Sequence, residues 1–303
     1  MPDTTSSRKQ VITYIALVFL FSSVFYFLIL RSGSLRSGMG LYVRGLMWCP
    51  ALAAFATMKL NHRPLSELGW RWIGNYQWQS WWIPLLYTAI AYVIVWTTGL
   101  GAFGNPEFVK QFTEGMNLRA PAWVSVAIGV ILLCVFGLLG SLTSALGEEI
   151  GWRGFLVPEL ARTTSFSTTA LITGIVWAVW HYPALIWGDY NAGTATWYAL
   201  ICFTALVISA SFIFAWMRLQ SGSLWSGTML HASHNLFVQA IFTPLTRNTG
   251  KTAWYIDEFG AVLPAVMILF AAYFWRRRKE LTQISPAALT ASSAEMSVTA
   301  GSV

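Results

Sequence analysis

Apolar residues run along this chain in long stretches, and most polar positions gather between them. A helix needs roughly 20 apolar residues to cross the hydrocarbon of a bilayer. Eight runs approach that length, at 11–30, 40–60, 80–100, 123–146, 166–187, 196–217, 223–242 and 259–275. Only helices and closed barrels satisfy backbone polar groups in lipid, and runs that are continuous rather than alternating select helices. The pattern predicts an all-α, polytopic transmembrane helical bundle of about eight spans. Residues 1–10 read as a short cytoplasmic lead and 11–280 as a single transmembrane domain. Residues 281–303 read as a Ser/Thr/Ala-rich tail without aromatics, a composition that favours disorder. The stretch 101–121, with Gly101, Gly104, Pro106 and Pro121, reads as a polar loop.

Composition strengthens this picture. Of 303 residues, 56% are hydrophobic and only 10% charged, whereas a soluble domain carries about a quarter charged residues. There is too little polar surface to cover a water-exposed globule. The first run is too long for a signal-peptide core, and no small-residue cleavage site follows it in Arg31–Ser37. Net charge is +7, yet its distribution speaks against a nucleic-acid partner. With eight spans, one face holds the termini and Arg8, Lys9, Lys59, Arg63, Arg71, Arg153, Arg162, Arg218 and the basic run Arg276–Lys279. The opposite face holds Arg31, Arg36, Lys110, Arg119, Arg247 and Lys251. By the positive-inside rule that two-to-one bias predicts both termini in the cytoplasm, with the spans in contact with membrane lipids; a prokaryotic plasma membrane is the expected location. Arg276–Lys279 then faces anionic headgroups. The 17 tryptophans, many near span ends, match an interfacial belt. Cys49, Cys134 and Cys202 lie in apolar runs without paired spacing and read as packing residues. No internal repeat supports an inverted-repeat transporter.

Ionisable side chains inside spans are costly, by about 2.5–3.5 kcal/mol each on insertion scales, so each is a functional candidate. Arg44 lies about a turn from the start of its run and can snorkel to the headgroups. The stretch Gly147-Glu148-Glu149-Ile150-Gly151-Trp152-Arg153 directly follows an apolar run. Adjacent glutamates on a helix point about 100° apart and can do separate jobs. Glu149 and Arg153 stand at i,i+4 and can pair, which leaves Glu148 without a local partner. Burial can make a carboxylate a usable base near neutrality; the alternative is a pair of solvated, inert acids at a span end. His181 lies deep in the fifth run, where a hydrogen-bonded core histidine is the competing reading. In the seventh run His231 and Asn235 share a helix face, with His234 beside them. Two donors one turn apart can converge on one developing negative charge, or they can hold helices together.

Taken in order, Glu148-Glu149-x-x-x-Arg153, Trp177-x-x-x-His181 and His231-x-x-x-Asn235 resemble the motif set of the CAAX protease and bacteriocin-processing family of intramembrane proteases. The resemblance covers roughly residues 120–240. Trp177 stands where many members have Phe, and it keeps an aromatic wall. The resemblance implies an endopeptidase acting on a membrane-associated or lipidated peptide or protein. Glu148 and His181 would hold and activate a water, His231 and Asn235 would stabilise the oxyanion, and Glu149 and Arg153 would orient the site. Relatives are often called metalloproteases, and Glu148, Glu149, His181 and His231 include acceptable zinc ligands. No His-Glu-x-x-His helix is present, so a glutamate-activated water requiring no cofactor is favoured, with zinc the alternative. A non-catalytic immunity or scaffold protein and a proton-coupled transporter are the competing functions. Oligomeric state and substrate identity are not legible.

At 1.5 Å per residue, a fourth span ending at Leu146 leaves Glu148 near the cytoplasmic end while His181 and His231 lie deeper. They can meet only if the fourth segment is broken, tilted or displaced inward; the small, polar run Gly140-Ser141-Leu142-Thr143-Ser144 offers a place for a break, and the sequence predicts convergence of Glu148, His181, His231 and Asn235 on one cavity.

Overall fold

The computed structural model describes residues 4–35, 37–116, 121–188 and 190–283. Its core is a bundle of long helices: α1 (Thr4–Ser32), α2 (Leu41–Leu60), α3 (Gly74–Thr97), a short α4 (Pro106–Met116), α5 (Ala122–Ala161), α6 (Phe166–Trp187), α7 (Thr196–Ser221), α8 (Leu224–His234) and α9 (Val262–Arg276). Six of these, α1, α2, α3, α5, α6 and α7, are long and apolar enough to cross a membrane. Ile12, Leu20, Val24, Phe27, Ile131, Phe136, Ile201 and Leu269 stay exposed on the outside of the bundle. Large apolar side chains facing outward suit lipid as solvent, and the chain is an integral membrane protein.

The runs predicted at 223–242 and 259–275 are helical but fall outside those six. In α8, Ser226, Thr228, His231, Ser233 and His234 are all buried, so this helix lines the bundle interior with polar groups facing protein. It continues into a π-helical stretch, Asn235–Phe242. The eighth run gives a helix of 15 residues, because residues 252–261 fold into turns instead. One other expectation is corrected. The polar loop 101–121 contains the amphipathic α4, whose Phe108 and Phe112 are buried. Ala102–Phe103 pairs antiparallel with Thr246–Arg247, Ala102 opposite Arg247. The lead is helical from Thr4. Arg36, Arg119, residues 1–3 and the tail from 284 lie outside the described residues.

The fourth span differs most, and the difference positions the site. It does not stop at Leu146 and does not break at Gly140–Ser144, which lie in regular α-helix. Helical backbone runs from Ala122 to Ala161, with π-helical turns at Leu133–Gly137 and Ile150–Leu156. π turns add a residue to the turn and recur at functional sites. Glu148 thus stands 13 residues, roughly 20 Å of helix, from the end at Ala161. His181 stands 15 residues, roughly 22 Å, from the start of α6, across the short turn that joins the two helices. The depth mismatch expected from sequence disappears because the helix is longer, not because it is broken.

Close helix approach is set by glycines. A Cβ at Gly147 would lie 2.7 Å from the Met47 carbonyl oxygen, so α2 and α5 touch beside Glu148. At the terminus-side end, Arg63 pairs with Glu67 and Glu159. There too the buried Arg218 donates from Nε to the Arg153 carbonyl and from Nη2 to that of Leu68.

Candidate active site

Glu148 is 1% exposed and fixed from one side. Its Oε2 accepts the indole N–H of Trp177 at 2.9 Å and that of Trp152 at 3.3 Å. The expectation that Glu148 lacks a local partner is therefore corrected: Trp152, one turn on, and Trp177 from α6 both hold it. Both partners are neutral, and they leave Oε1 for the cavity. Trp177, read from sequence as an aromatic wall, also supplies a donor that Phe cannot.

Glu149 is fully buried and charge-paired. Its Oε1 accepts from Arg153 Nη1 at 2.8 Å and from His231 Nδ1 at 3.0 Å. The Arg153 guanidinium lies over the rings of Trp177 and Phe214, at 4.2 and 4.1 Å from their centroids. This packing puts an arginine inside an apolar bundle with a carboxylate at its tip and aromatic faces at its sides. A Cβ at Gly227 would lie 2.6 Å from Glu149 Oε2, so α8 must present a glycine there.

The histidine protons follow from their partners. The Trp177 carbonyl can only accept, so His181 Nδ1 donates to it at 2.9 Å and its Nε2 is the nitrogen left over. The Glu149 carboxylate likewise fixes a proton on His231 Nδ1. Glu148, His181, His231 and Asn235 all line one cavity of about 570 Å³. Asn235 opens the π-helical stretch that follows α8. Glu149 and Arg153 stand behind this wall. Arg44, expected to snorkel, is exposed and lines the same cavity.

Among the described residues no group of three His, Cys, Asp or Glu side chains could hold an ion. Glu149 Oε1 is taken by a guanidinium and an imidazole N–H, and Glu148 Oε2 by two indoles.

The cavity wall also contains groups that the sequence motifs did not flag. Glu258 lines it, accepting from His234 Nε2 at 3.0 Å and from the Tyr190 hydroxyl at 2.7 Å. His234 Nδ1 meets the Tyr87 hydroxyl at 2.7 Å. Burial works to raise Glu258, but the hydrogen bonds from His234 and Tyr190 outweigh it and hold the carboxyl below its usual range. Its neighbour Asp257 is pushed up to about 7 by burial and by the Glu258 charge. A usable signal existed: Asp257-Glu258, like Glu148-Glu149, is an adjacent acid pair at the edge of an apolar run.

The family described as type II CAAX prenyl endopeptidase Rce1-like matches residues 130–237. A protein of Methanococcus maripaludis named CAAX prenyl protease 2 is 30% identical over 144 residues, covering 46% of this chain and 48% of the relative. The chain thus spans about half the length of the curated relative it matches.

Proposed function

We propose, from the premise that residues 130–237 are a CAAX protease family segment, that this chain is an intramembrane endopeptidase using a glutamate-activated water. The observation that carries the reading is the lining of one cavity by Glu148, His181, His231 and Asn235. Glu148 Oε1 and His181 Nε2 hold the water. As water oxygen attacks the scissile carbonyl, its proton passes to Glu148, a general base oriented by two indoles. The new C–O bond moves charge onto the carbonyl oxygen. His231 and Asn235 stabilise that oxyanion, Asn235 through its amide N–H. The Glu149 carboxylate on His231 Nδ1 stabilises positive charge on the ring, so the opposite nitrogen can donate as well. Collapse breaks the C–N bond, and the proton held by Glu148 goes to the leaving amine. No step in this scheme needs a metal.

The apolar wall formed by Leu206, Val207, Ala210 and Phe214 suits an apolar or lipid-modified peptide. The relative's name points to prenylated substrates for that protein; here the wall supports apolar substrates in general. The charge bias supports cytoplasmic termini.

The test compares peptides released in membranes containing the wild-type chain and Glu148→Gln. Cleavage lost in Glu148→Gln, His181→Ala and His231→Ala, with each variant folded, supports the reading. Cleavage retained in Glu148→Gln removes it, and ion-coupled flux that survives loss of Asn235 favours a transporter instead.

A further inference from the structure

Glu258 lies outside the matched segment, in the turns before α9, yet it lines the same cavity as Glu148. It is 5% exposed, and both oxygens are engaged. Oε1 takes His234 Nε2, and Oε2 takes the Tyr190 hydroxyl. Each partner touches a different wall of the proposed active site. His234 immediately precedes Asn235, and the Tyr87 hydroxyl of α3 holds its second ring nitrogen. Tyr190 lies on the α6–α7 connection, and its ring stacks on that of His181 with centroids 6.1 Å apart and planes 24° apart. Tyr190 also packs edge-on against Phe203 and Phe259. A continuous set of contacts therefore runs from α3 through His234, Glu258 and Tyr190 to His181.

We propose that Glu258 is a positioning residue: it ties His234, beside Asn235, to Tyr190, which covers His181, and so fixes the two walls of the cavity relative to each other. This rests on the peptidase reading above. Neither His234 nor Glu258 has an atom left over for substrate, because every ring nitrogen and carboxylate oxygen already has a partner. They act on the reaction only through the groups they hold. Misplacing a reacting group by about 1 Å can slow a reaction roughly a hundredfold, so loosening this tie is expected to lower kcat and leave KM nearly unchanged.

The choice of variants separates position from charge. In Glu258→Gln the amide oxygen accepts from His234 Nε2–H, and the amide nitrogen donates to the Tyr190 hydroxyl oxygen, so both contacts survive without the charge. In Glu258→Ala both are lost. Tyr190→Phe keeps the ring and loses the tether. Kinetics on reconstituted protein are expected to show kcat down roughly 10–100-fold in Glu258→Ala and Tyr190→Phe, and near wild type in Glu258→Gln. An equal loss in Glu258→Gln and Glu258→Ala, with both folded, overturns positioning. So does unchanged kcat in Glu258→Ala.

A second readout needs no activity. With 13C-labelled histidines, the His181 ring resonance, assigned by its absence in His181→Gln, is expected to move in Glu258→Ala and Tyr190→Phe while that of His62 stays. An unmoved His181 resonance refutes the tie even if the chain proves not to be a peptidase. A moved resonance in a chain that cleaves nothing supports the tie and defeats only the peptidase reading.

Discussion

Replacing Arg153 with Met should destabilise this protein more than most single substitutions, and the structure gives the size. Arg153 and Glu149 are both fully buried and joined at 2.8 Å. Met keeps an unbranched stem between Trp177 and Phe214 but removes the charge. Glu149 is then left with His231 on Oε1 and no hydrogen-bond partner on Oε2 among the described residues. Breaking a buried pair and stranding one charge costs about 3–5 kcal/mol, a large share of a typical folding stability of roughly 5–15 kcal/mol. At roughly 2–4 °C per kcal/mol for chains of about this size, the unfolding midpoint should fall by about 6–20 °C. The 17 tryptophans make intrinsic fluorescence in detergent micelles a suitable assay. Glu149→Gln/Arg153→Met removes both charges and should recover part of the loss, because no ion is stranded. A midpoint for Arg153→Met within about 1 kcal/mol of wild type would refute the reasoning. It would mean that water or lipid headgroups reach Glu149.

Three further outcomes follow from the same geometry. Glu148→Gln should abolish peptide cleavage while leaving the unfolding midpoint close to wild type, since Gln still offers an oxygen to the indoles of Trp152 and Trp177; a folded but active variant refutes the base assignment. Gly227→Ala drives a methyl toward Glu149 Oε2 and should cost about 1–3 kcal/mol of stability and lower kcat, whereas Gly140→Ala meets nothing within 4 Å and should change neither. Asp257 has its pKa pushed up to about 7, so the folded state holds its proton more tightly than the unfolded state does. The stability this gives is fully present below about pH 4 and is lost as pH rises through 7; Asp257→Asn, which suits the positive φ of 65° there, should therefore gain on wild type between pH 5 and pH 8 in paired melting curves.

The helical membrane bundle was legible because lipid imposes a simple rule on sequence, and long runs such as 11–30 and 196–217 obey it. Runs obeying it poorly were read less accurately. Residues 223–242 mix Ser, Thr, His and Asn with apolar side chains because α8 faces protein on all sides, and hydropathy does not report that. Glu148, Glu149, His181, His231 and Asn235 were found because charged and polar groups inside spans are costly, and the i,i+4 spacing of Glu149 and Arg153 gave their pairing directly. The extension of α5 to Ala161 was missed because Glu148, Glu149 and Arg153 look like the end of a span when their partners are unknown. Those partners come from α6 and α8, at sequence separations of 29 for Trp177 with Glu148 and 82 for His231 with Glu149. Glu258 was missed for the same reason, since it lies in a connection and acquires its place only when His234 and Tyr190 close on it.

Glu148, Glu149 and Glu258 lie around this site, and the chemistry of their partners sets them apart. Arg153 Nη1 at 2.8 Å and His231 Nδ1 at 3.0 Å both engage Glu149 Oε1, which suits a support for His231. Glu258 is closed off by an imidazole and a phenol that use both oxygens. Glu148 alone of the three is gripped only by neutral N–H donors, and only on Oε2. Neutral donors orient a carboxylate without tying it into an ion pair. The base in the scheme proposed above takes a proton from water in one step and gives it to an amine in the next, and a carboxylate outside any ion pair suits that role. The i,i+4 spacing with Arg153 singles out Glu149 in the sequence; the indoles of Trp152 and Trp177 single out Glu148 in the structure.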